Sequence, residues 1–239
     1  MLTSPTPGML VLWDVDHTLI ETRGVGGELY RAAFEKTTGR PMMHKAEITG
    51  RTERAILTET LRLHGLASSE EYQSRYAEAL AQQYEEHTEL LRRRGRALPG
   101  AKEALAAVGE LPGVVQTLLS GNLRAVAVTK LRVFDLDQYV DFEVGAYGDD
   151  EEDRSKLVTV AQARAEEKYG MVFERTNTVI LGDSLSDVET GRKGGARVIG
   201  VASGRSSTEE LREAGAEVVL DDLREVGRVV EIVRGCQVM

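Results

Sequence analysis

Residues 9–18 read Met9-Leu10-Val11-Leu12-Trp13-Asp14-Val15-Asp16-His17-Thr18. A short unbroken apolar run of this kind suits a strand covered on both faces, as in a parallel sheet. It ends at two carboxylates two residues apart, Asp14 and Asp16. Acidic groups just past a buried strand are costly unless something binds them. A divalent cation would do so, and Mg2+ prefers a few carboxylates together with waters and substrate phosphate oxygens.

Working outward, the same kind of run recurs at 114–119, 178–181, 197–201 and 217–220, with a weaker one at 142–145. Helical patterns fill the gaps at 101–108, 123–134, 157–169, 185–193 and 208–214. Strands alternating with helices predict an α/β fold, a Rossmann-like parallel sheet core with helices on both faces. Functional groups in such sheets gather at the carboxyl ends of strands. Asp14, Ser120 and Asp183 stand at those ends. Asp187 shares a helix face with Asp183, because positions four apart do so. Taken singly, Ser120 or Asp183 is equally readable as a helix cap.

Residues 21–98 break the alternation with helical stretches near 26–38, 51–64 and 69–94 and no convincing strand. Gly24, Gly26 and Gly27 open the segment and Pro99-Gly100 closes it, the punctuation of turns or hinges. The expected organisation is therefore a core domain of 1–20 and 99–239 with a small all-helical domain, 21–98, inserted after the first strand. The formal net charge of −9 argues against a nucleic-acid binder but not against a small phosphorylated substrate. One cysteine, Cys236, excludes an internal disulfide framework and cysteine zinc sites. Residues 1–9 lack a basic, then apolar, leader, and no window reaches the length of a spanning helix. The expectation is a soluble, cytoplasmic chain, a monomer with no membrane or nucleic-acid partner.

Asp14-Val15-Asp16-His17-Thr18 resembles the DxDxT motif of the haloacid dehalogenase-like hydrolase superfamily. Leu118-Leu119-Ser120-Gly121-Asn122 resembles its second motif and Gly182-Asp183-Ser184-Leu185-Ser186-Asp187 its fourth, GDxxxD. Order and spacing match along essentially the whole chain, and three motifs at strand ends are far more specific than one. The resemblance implies a Mg2+-dependent phosphatase branch with a helical cap at 21–98. It implies that Asp14 attacks phosphorus, forming an aspartyl-phosphate, and that Asp16 serves as acid and then base. The metal would be held by the side chains of Asp14 and Asp183 and the backbone carbonyl of Asp16, with Asp187 behind them. Ser120 and groups of Thr18, Gly121 and Asn122 would hold phosphoryl oxygens.

The third motif departs from the family's common Lys-Pro pattern. Arg154 and Lys156 are its candidates, and Arg154 is preferred because it lies at the mouth of a predicted helix. His17 stands where many relatives carry glycine and is read as lining the turn. Ile48-Thr49-Gly50-Arg51-Thr52 is the candidate loop reaching from the cap, with Arg51 able to bind a second anionic group of a small phosphorylated metabolite. A dehalogenase is disfavoured, since it has no use for Asp16 as an acid. A phosphomutase shares these carboxylates and stays open as an alternative, as does a non-catalytic regulatory protein on the same scaffold.

Overall fold

The computed structural model describes residues 8–237. Residues 1–7, part of the segment read for a leader, lie outside them. In chain order the elements are β1 (Met9–Trp13), β2 (Ile20–Glu21), α1 (Val25–Thr38), α2 (Glu53–Leu63), α3 (Glu70–Glu86), α4 (Thr88–Arg94) and β3 (Arg96–Ala97). Then follow α5 (Ala101–Gly109), β4 (Val114–Leu118), α6 (Arg124–Val133), α7 (Lys156–Tyr169), β5 (Thr178–Gly182), α8 (Leu185–Gly194), β6 (Arg197–Val201), α9 (Thr208–Ala214), β7 (Val218–Leu220) and α10 (Val226–Gln237).

The apolar runs become a five-stranded sheet in the order β4-β1-β5-β6-β7, with parallel neighbours throughout. All five residues of β1 are buried, and they alternate between two cores because strand side chains alternate. Met9, Val11 and Trp13 pack with α5, α6 and α10, while Leu10 and Leu12 pack with α7, α8 and α9. Trp13 also donates its indole N–H to Gln116 Oε1 at 3.1 Å, so the one polar side chain of β4's buried stretch facing it is matched. The fold is the expected α/β sheet with helices on both faces.

The run at 142–145 is not a strand. Only one bridge pair, Leu119 with Ala146, joins this region to β4's end. The Thr117 hydroxyl donates to Asp141 O and the Tyr147 hydroxyl to Phe142 O, so side chains meet carbonyls that a ladder would have used.

The segment between β1 and α5 forms four helices around a second apolar cluster that includes Tyr30, Phe34, Leu57, Leu61, Tyr76 and Leu80. The helix expected over 69–94 divides at His87, whose backbone leaves helical geometry at φ −115° and whose Nδ1 lies 2.8 Å from Gln83 O. The segment 21–98 is not wholly helical as expected: β2 and β3 pair antiparallel where the chain leaves and re-enters the sheet domain. Helix α6 belongs to both layers. Its Ala127 and Leu131 pack against the sheet, and its Val126 and Val133, with Leu123 just before it, pack into the helical cluster. Among the described residues no helix is long and apolar enough to cross a membrane.

Gly100 marks the return to the sheet, with φ 83°, and a Cβ there would overlap the Leu223 backbone. Both the left-handed conformation and the close approach require glycine. We predict that Gly100→Ala destabilises the fold by at least about 2 kcal/mol, measured by urea unfolding. A loss below about 0.5 kcal/mol would show that the approach is not constrained.

Candidate active site

The parallel sheet carries the ends of β1, β4 and β5 to one edge. The Asp14 backbone N–H is fixed by Leu181 O of β5 at 2.9 Å, and Leu119 N by Trp13 O at 2.9 Å. The chain then turns sharply through His17, which has φ 67°. That is the left-handed region in which glycine is unstrained, and the physical reason glycine suits this turn. Thr18 is buried, with its hydroxyl 3.3 Å from both Asp14 Oδ2 and Asp183 Oδ1. After β5, Ser184 and Asp187 form a reciprocal capping box at the start of α8. That box holds Asp187 Oδ2 and leaves Oδ1 facing the other acids.

Asp14, Asp183 and Asp187 are buried and offer oxygens within 4.8 Å of one another. The Arg154 guanidinium closes the group, Nη2 donating to Asp14 Oδ1 at 2.7 Å and Asp187 Oδ1 at 2.6 Å. One cation does not balance three carboxylates. Burial, then the Asp187 charge, pushes Asp14 well above the usual carboxylate range, and the same two causes raise Asp183. Such a set fits a divalent cation, which relieves the repulsion with hard oxygen ligands. Arg154 Nε is a buried donor with no partner among the described residues.

Asp16 has a separate setting. Lys130 Nζ donates to its Oδ1 at 2.8 Å and its Oδ2 at 2.7 Å, and Asn122 Nδ2 donates to Oδ2 at 2.7 Å. Asn122 Nδ2 also lies 2.8 Å from Ser120 Oγ, and its Oδ1 accepts from Lys130 at 2.7 Å. Burial acts to raise Asp16, but the Lys130 charge and these hydrogen bonds prevail and hold its carboxyl below the usual range.

The sequence over residues 11–192 matches the model of the haloacid dehalogenase-like hydrolases. The chain belongs to this family. No curated relative matches it. Among solved structures, a haloacid dehalogenase-like hydrolase of family IA, variant 3, from Entamoeba histolytica is similar over 95% of this chain and 99% of its own, with 18% identity and a TM-score of 0.67. A protein from Clostridium acetobutylicum described as a predicted phosphatase is similar over 93% and 98%, with 18% identity and a TM-score of 0.65. A candidate beta-phosphoglucomutase from Thermotoga maritima is similar over 94% and 99%, with 23% identity and a TM-score of 0.56. At these identities the likeness concerns the fold.

In this hydrolase Asp14, Asp16, Ser120, Asn122, Arg154 and Asp183 all line one cavity of about 220 Å3 beneath the helical insert. Lys156 does not. It opens α7 with its side chain 61% exposed, 3.6 Å from Glu151. Arg51 lines the cavity, but its Nη2 donates to Ala55 O at 3.1 Å, tying it to the first turn of α2 just after it. That loop is seated on the sheet domain: Glu53 N–H donates to Gly121 O at 2.7 Å and the Thr52 hydroxyl to Glu152 O at 2.9 Å. Gly50, at φ 68°, lies so close to Ser186 that a Cβ would overlap it. Lys130 was absent from the sequence-level site. Only the fold shows that 126, 127, 130 and 131 of α6 are buried together, and a lysine on that stripe needs a buried partner.

The cavity roof adds Tyr30, Lys45, Glu53 and Tyr84. Burial pushes the Glu53 carboxyl up to about 7 from 4.5, although Tyr76 donates to it at 3.3 Å. A raised carboxyl contributes stability that is complete below the unfolded value and is lost as pH rises through the folded one. We predict that Glu53→Gln, which cannot ionise, gains in Tm over the wild type as pH goes from 4.5 to 8. Thermal melts followed by circular dichroism at both ends test this, and a constant gap contradicts the assignment.

Proposed function

We propose that this hydrolase is a phosphatase for small phosphorylated metabolites, dependent on Mg2+ and working through an aspartyl-phosphate on Asp14. The observation that carries the reading is the separation of two neighbouring acids. Asp14 stands in a carboxylate cluster with Arg154, and Asp16 stands two residues on in the grip of Lys130. Groups with different surroundings can hold different roles in one reaction.

An Asp14 oxygen attacks phosphorus, and the bond from phosphorus to the ester oxygen breaks. Asp16, protonated once the negative charge of a bound phosphate ester stands beside it, gives its proton to that departing oxygen. Asp16 then takes a proton from water as the water oxygen attacks phosphorus, and the bond to Asp14 breaks to free phosphate. Arg154 faces the transferring group from the nucleophile's side, and Ser120 with the backbone N–H groups that follow receives its oxygens. Mg2+, held by the carboxylates of Asp14 and Asp183 and the Asp16 carbonyl with Asp187 behind, would neutralise negative charge on the phosphoryl group. The insert serves as a cap: seated on Gly121 and Glu152, it excludes water and shapes the pocket for the alcohol portion. The cavity's modest volume supports a small substrate.

Wild-type protein should release phosphate from p-nitrophenyl phosphate with Mg2+ and lose that activity in excess chelator. Asp14→Asn should lose at least about 10³-fold with an unchanged circular dichroism spectrum, because an amide is a poor nucleophile. Retention within about ten-fold rejects the nucleophile. Isomerisation of a sugar phosphate with little phosphate release would favour a phosphomutase.

The two candidate cations differ in surroundings, so their variants should differ too. Arg154→Ala should lower kcat on the order of 10²–10³-fold, the usual cost of removing a strong electrostatic contact to the transition state. Lys156→Ala, which removes only an exposed side chain, should change kcat by no more than about three-fold. The reverse order in steady-state kinetics would exchange their roles.

A further inference from the structure

Lys130 is an unusual residue to find where it is. It lies on α6 with its side chain 4% exposed, and a lysine is almost never buried without a partner. Its ammonium donates to both Asp16 oxygens and to Asn122 Oδ1 at 2.7–2.8 Å. Above it, at 5.5 Å, is the ring of Tyr84 from α3, within cation–π range. The Thr129 hydroxyl beside it donates to the Glu85 carboxylate, also on α3. The ammonium thus sits at the seam between α6 and the helical insert, against the Asp16 carboxyl on the wall of the cavity.

The hydrogen bonds on Asp16 are unequal. Oδ2 accepts from Lys130 and from Asn122, whereas Oδ1 accepts from Lys130 alone. An oxygen with two donors is the anchored one. The other has only one donor and is the oxygen that can take up a proton when an anionic ester is bound, and present it to the cavity that Asp16 lines. We infer that Lys130 is a positioning residue which, with Asn122, anchors Asp16 through Oδ2 and aims Oδ1 at the leaving-group oxygen. This rests on the phosphatase reading above. In the step concerned, the proton moves from Asp16 Oδ1 to the ester oxygen as its bond to phosphorus breaks. Lys130 keeps its protons throughout.

The prediction is a dependence on the leaving group. An alkoxide needs a proton to depart, and a dinitrophenolate does not. kcat/KM should be measured for wild type, Lys130→Met and Lys130→Arg on a simple alkyl phosphate and on 2,4-dinitrophenyl phosphate, with Mg2+ present. This parameter reports formation of the aspartyl-phosphate and not its hydrolysis. Lys130→Met should lose on the order of 10²-fold on the alkyl ester but no more than about three-fold on the dinitrophenyl ester. Lys130→Arg keeps the buried charge, but its planar fork aims differently, so it should show the same selectivity in smaller degree. Should Lys130→Met fail to fold in thermal melts, the Lys130→Arg comparison decides. Equal losses on both esters, or no loss on either, overturn the inference and leave Lys130 as a charge-balancing residue. A wild type that turns over neither ester sinks the phosphatase reading itself, and this inference with it.

Discussion

The Arg154 guanidinium, bonded to Asp14 and Asp187 with Asp183 alongside, is the contact around which the site is arranged. Three buried carboxylates cannot stand together on hydrophobic packing alone, because the charged forms are destabilised by both burial and one another. One cation relieves part of this, and the raised positions of Asp14 and Asp183 record what is left over. The remaining imbalance is the physical opening for a second positive charge. A carboxylate set of this kind suits a divalent ion.

The sheet makes that crowding possible. β1 lies between β4 and β5, so residues more than a hundred positions apart end at the same edge. Parallel pairing points every carboxyl end the same way, and the two buried faces hold the edge rigid. The Asp14 backbone is fixed by its neighbour strand, and Asp187 is fixed by the capping box of α8. Little conformational entropy is left to lose when a substrate binds.

A second arrangement stands behind Asp16. Helix α6 packs its apolar residues into both the sheet core and the insert's core, and carries Lys130 on the line between them. The acid is thereby connected to the helical layer through a buried lysine and the aromatic ring of Tyr84. The two carboxylates of one short motif are thus supported by different parts of the molecule: Asp14 by a loop of the sheet domain, and Asp16 by the helix that meets the insert.

Much of this could be read from the chain alone, and the reason is locality. A strand buried on both faces leaves an unbroken apolar run, and the acids follow immediately, so Asp14, Asp16, Asp183 and Asp187 could be picked out by position. The sheet and the helical nature of 21–98 were legible for the same reason. Contacts between distant segments leave no such mark. The break at His87, the loss of a strand at 142–145 and the tie of Arg51 to the first turn of α2 all involve side chains meeting particular carbonyls. Arg154 and Lys156 are two residues apart, and only the start of α7 decides that one is buried among acids and the other lies in solvent. Lys130 looks like an ordinary helical lysine until Asp16, 114 positions earlier, is brought against it. Sequence by itself determined the five strands of the main sheet, the acids and their order; tertiary structure alone decided which cation meets which carboxylate, because an ion pair is a property of distance in space and not along the chain.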